Sequence, residues 1–131
     1  MQITLEADYA IRIVHCLSCC NTRKDAKAIA EATGVTLRFS LKILRKLVAS
    51  GVIKSYKGTL GGYEIARPLS EISLYDVIST IEGPLNISRC VVPDFHCTRS
   101  KEGPCQFQKV FADLTEDIKK KLISINFEQM L

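Results

Sequence analysis

Two helix caps separated by one glycine turn constrain this chain more than any other feature. Asp25 can cap a short helix, AKAIAEATG, that Gly34 would end. Thr36 can cap a longer helix running through Ala49 and stopped by Gly51. Two helices joined by so tight a turn, the second strongly basic, form a helix-turn-helix pattern. On the second helix Leu37, Leu41, Leu44 and Val48 share one side, while Arg38, Lys42 and Arg45 lie together about 90° away. Packing the leucine side inward would present the basic stripe to solvent. A merely solvated face would carry Glu or Asp for i,i+4 pairing, and neither occurs from Thr36 to Tyr63.

The segment VIKSYKGTLGGYEIA follows directly. Two short β-prone runs flank Gly58-Thr59-Leu60-Gly61-Gly62, which predicts a hairpin with a glycine-rich tip. A basic helix followed at once by such a hairpin is the order of a winged helix. The hairpin would hold Lys54 and Lys57 near a phosphate backbone, with its glycines allowing close approach. From Thr36 to Arg67 there are seven basic residues and one acid, Glu64, a net +6; the chain total of +4 leaves −2 for the remainder. A basic segment on a mildly acidic body is the footprint of a phosphate-binding face. The candidate contacts to double-stranded DNA are Thr36, Arg38, Lys42, Arg45 and Lys46 on the helix, and Lys57, Gly58, Thr59, Gly61 and Gly62 on the wing.

Around this unit, a first helix from about Glu6 to Cys20 carries the apolar stripe Tyr9, Ile13, Cys16 and Cys20. Ser73 and Asp76 form a capping box for a helix ending near Glu82. Pro104 suits the first turn of a last helix reaching about Asn126, with Phe107, Val110, Phe111, Leu114, Ile118, Leu122 and Ile125 on one stripe. That helix would be about 30 Å long, too long for the preceding core to cover, and it reads as a dimerisation element. The fold class is mainly α with a small β-hairpin. Residues 1–83 read as the winged helix-turn-helix domain, 84–104 as a cysteine-containing loop and 105–131 as the dimerisation helix.

The 131 residues contain no apolar run of the roughly 18 that a membrane span needs, and Glu6, Asp8 and Arg12 interrupt any signal-peptide core. A cytoplasmic location is expected, where six cysteines would be reduced, metal-binding or redox-active. Cys90, Cys97 and Cys105 stand in one short stretch, CVVPDFHCTRSKEGPC, and can converge on one point if the loop folds back. Thiolates select soft metals and iron–sulfur clusters, and three of them leave one coordination position for another group. Three separate structural cysteines remain the alternative. Among the N-terminal cysteines Cys16, Cys19 and Cys20, the pair Cys16 and Cys20 lies one helical turn apart on the apolar stripe and reads as core packing, with a metal pair as the alternative; His15 reads as an ordinary helix residue. No nucleophile–base pair, phosphate-binding loop or carboxylate pair points to an enzyme.

The chain resembles the IscR/NsrR-type family of bacterial winged-helix transcription regulators. The resemblance runs through MQITLEADYAIR, IAEATGVTLRFSLKILRKLVASGVI, KGTLGGY, LSEISLYDVISTIEG and the three loop cysteines. It implies a homodimer on a roughly palindromic operator, regulated by a [2Fe–2S] or [4Fe–4S] cluster on Cys90, Cys97 and Cys105 with a fourth, non-cysteine ligand. Some members carry a histidine three residues after the third cysteine; here that residue is Gln108, a poor iron ligand. An N-terminal aspartate used by nitric-oxide-sensing members corresponds to Asp8, which ranks first as fourth ligand, with His96 second. The cysteine spacing is longer than in the best-known members, and Leu41 replaces a recognition-helix glutamate of the biogenesis regulators, so the operator sequence does not transfer. A regulator using the cysteines as a thiol switch or zinc site is the nearest alternative; an electron-transfer iron–sulfur protein is the alternative of another class.

Overall fold

The computed structural model describes residues 1–20, 22–99 and 105–131. Among these residues five α-helices, α1 (Leu5–Ser18), α2 (Ala26–Thr33), α3 (Leu37–Ala49), α4 (Leu74–Glu82) and α5 (Gln106–Ile123), accompany one antiparallel hairpin of β1 (Ile53–Tyr56) and β2 (Gly62–Ile65). Helix α1 is the centre, packed against α2, α3 and α4. No helix among the described residues is long and apolar enough to cross a membrane.

Local chemistry sets the helix starts. The side chains of Thr4, Asp25 and Thr36 accept from the backbone N–H groups of Ala7, Ala28 and Phe39. Ser73 and Asp76 complete a capping box at α4. Each cap satisfies a donor that would otherwise be orphaned and contributes about 1 kcal/mol. Gly34 closes α2 in the left-handed region, φ 73°, which lets the chain reverse within three residues into α3.

The packing differs from the sequence expectation at three places. The buried face of α1 is Ala7, Ala10, Ile13, Val14 and Leu17, so Cys16 and Cys20 stay half-buried outside the core and Cys19 is exposed. In α3 the inward face is Ser40, Ile43, Leu44 and Leu47, while Leu37 and Leu41 are exposed. That face is rotated by roughly 80° from the leucine stripe, at 100° per residue, because Ile43 and Leu47 meet α1 and α2 more directly. The basic stripe thereby stands almost opposite the core. Finally, Pro104 lies outside the described residues, and α5 ends at Ile123 rather than near Asn126.

Beyond α5 the chain turns back. Leu74 donates to Ile125 O at 2.8 Å and Phe127 to Ile72 O at 3.0 Å, which carries Phe127 into the core at 1% exposure. The C-terminal segment thus closes the winged-helix body. Of the α5 stripe, Phe107, Val110, Leu114 and Ile118 are exposed, and the helix is anchored instead through Thr115, 3% exposed. The Thr115 hydroxyl donates to Phe111 O at 2.7 Å and accepts from Ile87 N at 3.3 Å. Phe127→Ala should destabilise the fold by about 3–5 kcal/mol, since it empties a site closed on all sides. Urea unfolding should show a lower midpoint at an unchanged slope.

Candidate nucleic-acid interface and thiol cleft

The exposed side of α3 forms a shallow surface from Thr36, Leu37, Arg38, Phe39, Leu41, Lys42 and Arg45. Its basic residues are not equivalent. Glu6, at the start of α1, takes Lys46 at 2.7 Å and Lys42 at 3.7 Å. The hydrogen bond from Lys46, opposed by burial and helped by both lysine charges, holds the Glu6 carboxyl below its ordinary range. No carboxylate pairs with Arg38 or Arg45 among the described residues. The two arginines therefore project as uncompensated cations, whereas Lys46 is committed to a clamp between α1 and α3.

The wing is built from both sides. Antiparallel pairing runs from Ile53 opposite Ile65 to Tyr56 opposite Gly62. Lys24, in the α1–α2 linker, donates to Tyr63 O at 3.1 Å and accepts from Tyr63 N at 2.8 Å, adding a short third edge. Arg23 beside it lies 3.3 Å over the Tyr56 ring, 3.5 Å from Glu64, and donates to Leu60 O at 3.3 Å. A Cβ on Gly61 would meet Tyr56 O at 2.5 Å, and one on Gly62, whose φ is 134°, would meet Lys24 O at 2.7 Å. The close approach these two glycines allow is internal: they let the wing turn and accept the linker. Lys57, Gly58 and Thr59 are exposed on the wing, as are Lys54, Ser55 and the tip residue Leu60. Neither Glu6 nor Arg23 carries a local sequence signal, because Glu6 acts on residues 36 and 40 positions away and Arg23 on residues 33 to 41 away, Tyr56, Leu60 and Glu64.

The second feature is a cleft of about 590 Å³ between the loop and the start of α5. Cys90, Cys97 and Cys105 all line it, with Phe95, His96, Arg99, Phe107 and Gln108. The Ser88 hydroxyl lies 3.1 Å from Cys90 Sγ, and Gln108 Nε2 donates to Cys90 O at 2.8 Å, which occupies the Gln108 side chain. Cys105 is the N-cap of α5. The backbone N–H groups of Gln108 and Phe107, and then the Arg99 guanidinium 3.9 Å from its sulfur, hold this thiol below its ordinary range. Asp8 does not line the cleft; it sits on α1 in an ion pair with Arg12 at 2.9 Å.

Among the described residues no three thiol, imidazole or carboxylate groups stand close enough to hold one metal ion. The donor set nevertheless suits a soft metal centre, because three thiols face one cleft and Arg89 and Arg99 supply charge to balance thiolates. Closing the donors to bonding distance requires movement of the loop.

Over residues 3–131 the chain matches Rrf2, described as an iron-dependent transcriptional regulator. It belongs to the Rrf2 family. Protein aau3 of Rhizobium meliloti is 33% identical over 91 residues, covering 69% of this chain and 59% of that protein. An HTH-type transcriptional regulator of Mycobacterium tuberculosis is 37% identical over 87 residues, 65% of this chain and 54% of its own. The regulator IscR of Xenorhabdus nematophila is 28% identical over 108 residues, 79% and 61% of the two chains. This Rrf2 chain therefore spans less than two thirds of the length of these relatives. Among solved structures, T. potens IscR superposes with a TM-score of 0.80 at 23% identity, over 99% of this chain and 85% of that one. CymR, the global cysteine regulator of B. subtilis, does so at 0.78 and 20% identity, over 99% and 95%. These superpositions establish the winged-helix fold, mainly α with one hairpin.

The two thiols with displaced proton affinity should separate on titration. Cys105, stabilised as thiolate, should alkylate with iodoacetamide at lower pH than Cys16, whose thiol burial pushes up. Arg99→Ala should move the Cys105 midpoint upward and leave Cys16 in place, read by mass spectrometry of each peptide.

Proposed function

We propose that this Rrf2 protein is a homodimeric, DNA-binding transcription regulator whose operator affinity is set by an iron–sulfur cluster on Cys90, Cys97 and Cys105. The observation that carries the DNA reading is the pair of unpaired arginines, Arg38 and Arg45, projecting from α3 opposite its buried face. They share that surface with exposed Leu37 and Leu41, whose methyl groups suit apolar contact with thymine, while an arginine fork suits guanine. Lys42, Lys57 and the backbone around Gly58 and Thr59 would meet phosphate; Lys46, held by Glu6, orients α3. The resulting candidates are Arg38, Arg45, Lys42 and Lys57 for contact, with Thr36, Lys46, Gly61 and Gly62 setting the geometry.

Three observations support the cluster: the family's iron dependence, the shared cleft, and the charge balance at Arg89 and Arg99. When bound, the cluster supplies a redox-active, ligand-exchanging centre that reports iron, oxidants or nitric oxide. Cys105 begins α5, so tying its sulfur to Cys90 and Cys97 would fix where that helix starts. The exposed side of α5, Phe107, Val110, Leu114 and Ile118, is the surface for a second copy of the chain. Fixing α5 therefore fixes the separation of the two α3 helices, which must be about 34 Å to enter successive major grooves. His96 lines the cleft and is the fourth ligand within one protomer. Asp8 is the competing donor; it does not line the cleft of its own chain, so it would have to come from the partner subunit and give up its ion pair with Arg12.

The activated thiol of Cys105, beside Arg99, favours a second reading in which the same cysteines respond as thiols without iron. Anaerobic purification with iron and sulfide assays separates the two. The cluster reading expects both elements in stoichiometric amounts and their loss in each of Cys90→Ala, Cys97→Ala and Cys105→Ala; iron-free protein that still changes DNA affinity on oxidation supports the thiol reading. His96→Ala and Asp8→Ala, compared for cluster stability toward oxygen, identify the fourth ligand.

For DNA, Arg38→Ala should weaken operator binding by about 1–3 kcal/mol and relax one base preference, whereas Lys57→Ala should weaken all sequences alike and reduce the salt slope by about one. Full binding by an Arg38/Arg45 double alanine variant would exclude α3 as the reading helix. Leu114→Glu with Ile118→Glu should yield monomers by sedimentation, because charge would enter an apolar contact.

A further inference from the structure

The regulator reading leaves Cys16, Cys19 and Cys20 unused, yet they gather with Arg12, His15 and Lys24 along one open groove at the end of α1. The Cys20 thiol donates to the Cys16 carbonyl at 3.1 Å and lies within hydrogen-bonding reach of the Cys16 thiol. Cys19 is turned outward, its sulfur 3.8 Å from His15 Nε2. Cys20 lies one turn beyond Cys16, its N–H bonded to Leu17 O at 3.2 Å; a bridge needs the two Cβ atoms, about 5–6 Å apart at such spacing, to close to roughly 3.5–4.5 Å. Cys20 also stands beyond the helix cap, Cys19, so its backbone can adjust to closure.

Cys20 opens the linker that builds the wing. Within four residues come Arg23, stacked on Tyr56 and paired with Glu64, and Lys24, doubly hydrogen-bonded to Tyr63.

We propose that Cys16 and Cys20 form a second, oxidisable dithiol, separate from the loop cysteines, which a low-molecular-weight disulfide closes and which thereby loosens the wing. The Cys20 thiolate attacks one sulfur of the small disulfide, giving a mixed disulfide and expelling one thiolate, which takes up the proton that Cys20 lost. The Cys16 thiolate then attacks the Cys20 sulfur, closes the protein disulfide and expels the second small thiolate, protonated in turn. Two protein thiols are oxidised and one small disulfide is reduced to two thiols. Burial holds the Cys16 thiol above its ordinary range, opposed only in part by Lys24, so Cys20 attacks first and Cys16 resolves. Cys19, pointing away, takes no part in the bridge.

Oxidised glutathione, added anaerobically to the full chain, tests this. Tryptic peptide 13–23 contains all three residues and should lose two hydrogens in mass. That loss should persist in Cys19→Ser and vanish in Cys16→Ser and in Cys20→Ser. Amide exchange over residues 56–63 should accelerate several-fold in the oxidised wild type and not in Cys16→Ser. A peptide that stays a dithiol or stops at a glutathione adduct overturns the proposal, as does closure that survives Cys16→Ser, or closure with unchanged wing exchange. None of these readings uses DNA or iron, so their failure is distinct from failure of the regulator reading.

Discussion

Everything in this molecule is hung on the buried face of α1. Ala7 and Ala10 have almost no side chain there, and Ile13, Val14 and Leu17 fill the space that remains. Helix α1 packs against α4, α2 and α3. Because protein interiors are packed to crystal-like density, this one surface sets the directions of three helices together. The orientation of α3, and so the direction in which its arginines point, follows from how Ile43, Leu44 and Leu47 seat against that surface.

Charge is then sorted by the same helix. Glu6 lies at the edge of the α1 surface and binds Lys46 firmly and Lys42 at longer range. A partly buried pair of this kind resists salt better than an exposed one. It converts one end of a uniformly basic helix into a structural clamp and leaves Arg38 and Arg45 as the open charge. The wing receives its own organising contact from Arg23, whose guanidinium faces a ring, a carboxylate and a carbonyl at once. The planar fork of arginine meets all three partners; a lysine in its place would not.

Two surfaces are unfinished in the single chain. The apolar side of α5 is open from Phe107 to Ile118, and the thiol cleft at its N-terminus has three sulfurs without bonding geometry. They are adjacent because Cys105 caps the helix that carries the apolar side. Under the proposed function, assembly with a second copy and closure of the cleft would act on the same helix, and this adjacency would link the proposed centre to the spacing of two α3 helices.

The sequence by itself determined the starts of α2, α3 and α4, the left-handed turn at Gly34, the hairpin with its glycine-rich tip, and the presence of a basic helix face. These are local effects: caps, φ > 0 turns and short-range periodicity act within a few residues and need no partner. A common location for the three loop cysteines was one of two readings the sequence left open, and the cleft that all three line decided it. Tertiary structure decided what periodicity leaves ambiguous. Whether α3 buries Leu37 and Leu41 or Ile43 and Leu47 depends on which neighbour reaches it, and all four are equally apolar. Cys16 and Cys20 fall outside the core because alanines on the other side of α1 give the closer approach. Phe127, Glu6 and Arg23 act on residues far away in the chain, through hydrogen bonds and ion pairs that no local pattern announces.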